Sequence, residues 1–223
     1  MTDFLYLDIE TIPAQSEAAR FRIAETIKPP AQMKKPETIA RWEAEEKDAA
    51  VEEALARTGL NGGYGHVCCI GWAGNDENVS TYKYGIHKGE KEIISDFFRV
   101  AGCFVGSRRP VIIGHNVAEF DLKFLRQRAM VLGIKIPAWF PINPKPWGDD
   151  VFDTMTAWAG PRDRVSLDDL CFYLGIEGKG AIDGSMVADL FARGEHEAIA
   201  QYCRDDVVRV RSIHKKMRFA LGG

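Results

Sequence analysis

The hydrophobic pattern of the chain alternates between short apolar runs typical of strands and longer amphipathic stretches typical of helices. The run Phe4–Thr11 has strand character, so Asp8 and Glu10 are predicted to share one face while the apolar positions share the other. The same patterns predict strands near His66–Ala73, Val79–Tyr84 and Val111–Asn116, and helices near Glu90–Ala101, up to Gly133, from Ser166, and over Glu195–Phe219.

Asp8 and Glu10 are the first residues with candidate chemistry. Two carboxylates side by side at the end of a buried strand repel each other and lose hydration, so such a pair usually implies a cation between them. Hard divalent cations such as magnesium take several oxygen ligands, and two residues cannot supply them. The sequence therefore predicts half of a metal site here, with the other half far away along the chain.

Two later segments each offer a further acid. The helical pattern after Val111–Asn116 puts Asp121 one turn before Leu125, on the flank of the face predicted to be buried. In the last predicted helix, Asp206 lies in the middle of an apolar stripe, where an acid is costly unless something compensates its charge. Its neighbour Asp205 shares a face with polar residues. Periodicity therefore selects Asp206 as the functional acid and leaves Asp205 on the surface.

The last predicted helix carries two further features. Tyr202 precedes Asp206 by four residues, so its hydroxyl is predicted one turn away on the same face. Arg209 falls on the solvated face with Asp205. A run of bases is a candidate for binding a phosphate backbone, although a solvated face is the commoner meaning of such a run. These bases are Arg204, Arg209, Arg211, Lys215, Lys216 and Arg218.

Three groups of residues resemble, in order and in local context, the exonuclease motifs of the DnaQ-like, or DEDD, superfamily. They are Asp8-x-Glu10, Asn116 with Phe120-Asp121, and Tyr202-x-x-x-Asp206. The tyrosine resembles the DEDDy branch, since the DEDDh branch would carry a histidine where this chain has Gln201. More narrowly, several segments look like those of stand-alone exonucleases related to the proofreading domain of family-B DNA polymerases. These segments are Gly114-His115-Asn116, Ser166-Leu167-Asp168, Gly178-Lys179 and Tyr202-Cys203.

The resemblance implies an α/β, ribonuclease H-like fold, in which a central mixed β-sheet is flanked by helices on both faces. It also implies hydrolysis of nucleotides from a 3′ end with two divalent metal ions, Mg2+ or Mn2+. In that scheme Asp8 bridges both ions. Glu10 and Asp206 complete the ion next to the attacking water, Asp121 holds the second ion, and Tyr202 orients the water.

The resemblance also supplies candidate substrate-binding residues, which are Thr11, Ile12, Asn116 and Phe120. Apolar packing is an equal alternative for Ile12 and Phe120, and Asn116 could instead cap the following helix. Asp121 could be a helix N-terminal acid and Tyr202 a core tyrosine. Asp153 is either an acid behind the site or a turn residue.

Residues 14–62, called the insert segment below, stand apart from these patterns. Ile27–Pro30 breaks regular structure, and Pro36–Arg57 predicts a long surface helix. We expect one exonuclease domain over residues 1–223, with the insert segment near the site entrance, where it would guide or clamp the substrate strand.

Pro137–Asp150 predicts a rigid loop, whose Trp139 and Trp147 either stack on bases or pack in the core.

Composition limits the possible functions. The 223 residues, 46% of them hydrophobic, can build one sizeable core but not a polymerase as well, so a proofreading role would serve a separate polymerase. The net charge of −3 gives no general attraction to nucleic acid, so binding must be local. Five cysteines without metal or redox spacing predict free thiols in a reducing compartment. With no leader or membrane-length apolar run, we expect a cytoplasmic protein.

The sequence thus predicts a metal-dependent 3′–5′ exonuclease, in DNA repair or proofreading, with single-stranded DNA favoured over RNA. An exoribonuclease is the nearest alternative, because the same site can hydrolyse the phosphodiester bonds of DNA or RNA. No residue of the sequence clearly indicates a contact with the 2′ hydroxyl that distinguishes them. The alternative from another class is a noncatalytic nucleic-acid-binding module that keeps the fold.

Overall fold

The computed structural model describes residues 3–85, 88–106, 109–145, 148–178, 180 and 182–222. A five-stranded sheet in the order β3-β2-β1-β4-β5 forms its centre. The strands are β1 (Phe4–Ile12), β2 (His66–Gly74), β3 (Ser80–Lys83), β4 (Val111–Gly114) and β5 (Val151–Asp153). Strand β1 runs antiparallel to β2 and parallel to β4, and β5 runs parallel to β4. The carboxyl ends of β1, β4 and β5 therefore meet at one edge of the sheet.

Helices cover both faces of this sheet, which confirms the predicted α/β class. Helices α4 and α5 pack on the face that carries Leu5 and Leu7, whereas α7 and α9 pack on the face that carries Tyr6. The helices are α1 (Glu17–Thr26), α2 (Pro36–Glu45), α3 (Lys47–Arg57), α4 (Glu90–Val105), α5 (Asp121–Leu132), α6 (Thr154–Ala159), α7 (Leu167–Tyr173), α8 (Val187–Ala192) and α9 (His196–Ala220). Across the described residues, none of the helices is both long and apolar enough to span a membrane.

The insert segment differs from its prediction. The expected long helix is divided at Glu46 into α2 and α3, and the unpredicted helix α1 precedes them. The two ends of the segment meet, because the Ala14 N–H donates to Thr58 Oγ1 at 2.8 Å. The Thr11 hydroxyl donates to the Gly59 carbonyl at 2.8 Å. These bonds attach the returning end of the insert segment to the last residues of β1.

A buried ion pair between α4 and α5 also contacts the insert segment. Arg128 of α5 donates from Nε and Nη2 to the carboxylate of Glu90 in α4, both at 2.7 Å. Arg128 also donates to the Gly62 carbonyl at 3.2 Å, and Glu90 accepts the Val67 N–H at 2.8 Å. Although burial opposes it, hydrogen bonds from His66 and Arg128 hold the pKa of Glu90 below its usual value. The pair thus joins α4, α5, β2 and the insert segment.

The described part of Pro137–Asp150 contains neither helix nor strand, as predicted for a loop. Trp139 packs into the core, with ring centroids 6.0 Å from Phe97 and 6.2 Å from Phe98. Of the two alternatives for Trp139, packing is therefore correct. Trp147, with Lys179 of the Gly178-Lys179 segment, lies outside the described residues.

Candidate active site

Asp8 and Glu10 project from β1 toward α9. Their carboxylate oxygens and the Cys203 sulfur lie within 4.8 Å of one another. Burial raises the pKa of Asp8 well above its usual value, and the charges of Asp121 and Asp206 raise it further. Burial and then the charge of Asp8 do the same for the pKa of Glu10. The predicted pair of crowded, desolvated acids is therefore present.

One oxygen of this pair is unsatisfied. Asp8 Oδ2 is buried and has no hydrogen-bond partner among the described residues. A buried, unpartnered carboxylate oxygen is costly, and a cation is the species that compensates it best. The site therefore has the charge and the open acceptor that a metal ion requires.

A bulge in β2 lies beside Glu10. Glu10 pairs with Cys69 and Thr11 pairs with Val67, so Cys68 is an extra residue between them. Its thiol donates to the Glu10 carbonyl at 3.4 Å. Bulges often occur next to active sites, where they redirect side chains. No disulfide bond joins cysteines within the described part of the chain.

Asp121 adds a third acid from the first turn of α5. Its Oδ1 accepts the Ile9 N–H of β1 at 3.0 Å, and the side chain is buried. Burial raises the pKa of Asp121 to about 8, against the lowering effect of backbone hydrogen bonds. Asp121 is thus a helix N-terminal acid that also contacts β1 next to Asp8, so the two interpretations of this residue are compatible.

Replacement of Asp121 by Asn is expected to flatten the pH dependence of stability in chelator-treated protein. Because its pKa in the folded state is about 8 against an ordinary 3.8, Asp121 contributes stability that is complete below the ordinary value and lost as pH rises through about 8. Between about pH 5 and about pH 8, wild-type protein should lose about 3–4 kcal/mol more than Asp121→Asn. Urea titrations across this range measure the difference. Asp205→Asn should keep the wild-type slope, and an equal slope in Asp121→Asn would contradict the expectation.

Asp206 and Tyr202 complete the group from α9. Asp206 is buried, and its Oδ1 accepts a hydrogen bond from Arg209 Nη1 at 2.7 Å. Burial, followed by the charges of Asp206 and Glu10, raises the pKa of Tyr202 above its usual value, and the tyrosine is hydrogen-bonded to Asp206. Its hydroxyl therefore stays protonated. Asp205 accepts from Gln201 at 2.7 Å on the exposed side of the helix, as predicted.

The assignment of Arg209 to the solvated face is wrong. Its side chain is only 12% exposed, and besides Asp206 it donates to the Gly178 carbonyl from Nε at 3.2 Å and from Nη2 at 2.9 Å. The long side chain reaches sideways across the helix, so the direction of its Cβ does not decide where its charge lies. An i,i+3 acid–base pair was the signal in the sequence that could have revealed this contact.

The other bases of α9 do not form one patch. Arg204 donates to Thr81, Arg211 to the Glu77 carbonyl, Lys215 to Asp76, and Lys216 to the Leu174 carbonyl. Arg218 lies over the Phe4 ring. These contacts attach different sides of α9 to different parts of the fold, so the run of bases in the sequence is not a single surface for phosphates.

The four candidate substrate-binding residues lie in different environments. Ile12 is 1% exposed within the core, and Phe120 is half-buried with its ring 5.6 Å from that of Phe124. The Thr11 hydroxyl is engaged with Gly59. Asn116 has a φ of 59° and a buried Oδ1 without a partner among the described residues. Substrate contact stays a prediction for all four.

Asp153 supports the loop that carries Asn116. It caps α6 by accepting the N–H groups of Met155 and Thr156, and it also accepts those of Asn116 and Ala118. Position 116 does not cap α5, because Phe120 occupies the N-cap. The cap alternative for Asn116 is therefore wrong. Asp153 holds this loop at the sheet edge, and its charge adds to the effect of burial in raising the pKa of Asp121, so the two alternatives for Asp153 are compatible.

A family model described as a predicted 3′–5′ exonuclease related to the exonuclease domain of PolB matches residues 66–222. The chain belongs to this exonuclease family. The matched range contains Asp121, Tyr202 and Asp206, and begins after Asp8 and Glu10. A search of curated proteins gives no match.

Solved structures show the same relationship at the level of the fold. The chain is similar to the family B DNA polymerase from the hyperthermophilic archaeon Pyrobaculum calidifontis, with a TM-score of 0.61 and 15% sequence identity. The similarity covers 97% of this chain and 24% of that polymerase, so the exonuclease-family chain spans about a quarter of its length. The predicted ribonuclease H-like fold is confirmed.

Proposed function

We propose that this chain is a metal-dependent exonuclease that removes nucleotides from the 3′ end of single-stranded DNA. The observation that carries the proposal is the convergence of four buried or half-buried acids, Asp8, Glu10, Asp121 and Asp206, on one site beside an unpartnered carboxylate oxygen. The exonuclease family of the chain supports the same reaction.

The side chains at the site fit Mg2+ or Mn2+. Such ions prefer carboxylate oxygens, which the four acids supply. Cys203 is the other donor within reach, but burial raises the pKa of its thiol, and its S–H donates to the Asp8 carbonyl at 3.5 Å. We therefore assign the ligands to the acids. Asp8, Glu10 and Asp206 would hold one ion, and Asp8 with Asp121 the other.

Two bound ions would activate the attacking water and neutralise charge on the leaving 3′ oxygen. The protein side chains supply orientation. Tyr202 remains protonated because burial and nearby acids raise its pKa, so it cannot accept the proton of the water as a phenolate. Its O–H now bonds to Asp206 and would turn to the water once Asp206 binds a metal ion. Tyr202→Phe keeps the ring and removes this donor. We expect it to lower kcat by about 10- to 100-fold and to leave KM nearly unchanged.

Arg209 competes with a metal ion for Asp206. Its guanidinium provides the positive charge that now neutralises this carboxylate. Arg209→Gln should therefore raise Mn2+ affinity by about tenfold, the value of one charge-assisted hydrogen bond. Calorimetric titration with MnCl2 measures the change. Arg204→Gln, from the same helix, is the matched control and should bind like wild type, whereas weaker binding by Arg209→Gln would show that Arg209 organises the site instead.

Digestion of 5′-labelled single-stranded DNA and RNA of one sequence tests the proposed reaction. Each polymer is incubated with Mg2+, with Mn2+ and with chelator, beside Asp8→Asn. We expect a metal-dependent ladder that shortens from the 3′ end, is faster on DNA, and is lost in Asp8→Asn. Faster cutting of RNA would make the chain an exoribonuclease. No shortening of either polymer under any metal would favour a noncatalytic binding module.

The similarity to one part of a polymerase suggests how the activity is used. The matched part of the polymerase and this chain share a fold, so we propose that any proofreading would act on the 3′ end of a strand that a polymerase has made. We further propose that residues 1–223 act as one exonuclease domain, in which the insert segment guides the strand. Its attachment to Thr11, next to the acidic site, supports this role.

A further inference from the structure

A cavity of about 330 Å3 lies at the end of β4, beside the loop that leads into α5. Asn116 and Glu119, from the loop between β4 and α5, line one side, and Met155, Thr156 and the turn 160–164 line the other. Strands β4 and β5 end at this loop and at α6, at the sheet edge where β1 carries its acids. The cavity therefore lies at the same end of the sheet as the candidate site.

Two arginines border the cavity without internal partners. Arg162 and Arg164 are exposed, and no hydrogen bond or ion pair joins either of them to the rest of the described chain. Four bases of α9, by contrast, donate to carboxylates or carbonyls of the fold. Among the residues that line the cavity, Arg162 and Arg164 are the cations that can bind an anionic ligand.

An exposed aromatic group follows the cavity along α6 and α7. Trp158 stacks on Tyr173 with centroids 5.9 Å apart and planes at 20°, and Phe172 meets Tyr173 edge-on at 6.1 Å. These three residues, called the aromatic surface below, are 48%, 56% and 80% exposed in that order. Aromatic residues of a core are buried, whereas these rings are exposed to solvent. They can therefore bind flat apolar groups.

We propose that the cavity, the two arginines and the aromatic surface bind the single strand behind its 3′ terminus. Arg162 and Arg164 would bind phosphates, and bases would stack on Trp158 and Tyr173, as in other single-strand binding surfaces. This inference rests on the proposed exonuclease function, because the strand enters the cavity from the acidic site. Positive charge beside exposed, stacked rings favours a single strand, because such surfaces combine basic groups for the phosphates with aromatic rings for the bases.

Strand length is the variable that tests the aromatic surface. In the Asp8→Asn background with Mg2+, fluorescence anisotropy would measure binding of labelled oligothymidylates from two to twelve nucleotides. Affinity should rise with length, and adding Trp158→Ala should weaken binding of the longest strand by about tenfold while leaving the dinucleotide unchanged. Trp158→Phe should retain most of the gain. Phe219→Ala, which removes an exposed aromatic at the far end of α9, should bind like its parent.

Salt dependence tests the arginines. The double change Arg162→Gln with Arg164→Gln should reduce the slope of log affinity against log salt by about 1.4, the value for two phosphate contacts on a single strand. Arg211→Gln with Lys215→Gln removes the same charge from α9 and should leave the slope unchanged. Equal losses from both pairs would overturn the proposal, because they would indicate general attraction instead of contact.

The outcomes separate this proposal from the proposed function. If Trp158→Ala and the double arginine variant bind long strands like their parent while wild-type protein still digests DNA, the strand path is wrong and the exonuclease stands. If wild-type protein digests nothing but the length-dependent gain depends on Trp158, the binding surface stands without the activity. If Trp158→Ala alters only self-association in sedimentation velocity, the surface belongs to a second copy and the strand path is rejected.

Discussion

Asp8→Asn is expected to abolish digestion and, at the same time, to stabilise the chelator-treated protein. Activity should fall by at least about 1,000-fold, because the substitution removes the carboxylate proposed to bridge both metal ions. Stability should rise by about 1–3 kcal/mol, because a neutral amide replaces a buried charge with an unpartnered oxygen and raised pKa. Single-turnover digestion and urea unfolding in chelator measure the two effects.

The opposite signs of these two effects make the test specific. A residue that serves only the fold would lose stability and activity together. Asp205→Asn, a change of the same type on the exposed side of α9, should alter neither quantity by much. If Asp8→Asn destabilised the metal-free protein, the carboxylate would have a protein partner after all, and the argument for a cation at this site would fail.

Arg128→Met is expected to cost about 3–5 kcal/mol of unfolding free energy, because it leaves the Glu90 charge buried without its bidentate partner. Equilibrium urea denaturation of variant and wild type would measure this loss. Adding Glu90→Gln should recover part of it, since the neutral side chain can still accept the Val67 N–H. Arg57→Met breaks an exposed ion pair with Glu53 and should change stability by less than about 1 kcal/mol. A loss in Arg128→Met as small as that of the control would contradict a structural role for the buried pair.

Residues whose position follows from local periodicity were predictable. Alternation along β1 was enough to put Asp8 and Glu10 on one face, and a period of 3.6 was enough to separate Asp206 from Asp205 on α9. Both patterns depend only on neighbours within one element. The packing of that element on the rest of the chain does not alter them.

Contacts between distant segments were not predictable. The bonds from Arg209 to the Gly178 carbonyl depend on where the chain near Gly178 passes α9, and the role of Asp153 depends on β5 lying next to β4. No pattern within either segment contains that information. The division between α2 and α3 at Glu46 is likewise a property of how the insert segment folds back on itself, since α3 contacts both α1 and α2. Helix propensity alone favoured one continuous helix there.

The closed ends of the insert segment have a consequence for how such a chain can vary. Ala14 and Thr58 are hydrogen-bonded to each other, so the chain leaves the sheet edge and returns to it at nearly the same point. The residues between them form an insertion that does not change the order or the register of the strands. A short linker could replace it, and a segment of different length or sequence could be exchanged for it, without moving the acids on β1. The fold thus offers one position where substrate handling can diversify while the reaction chemistry is preserved.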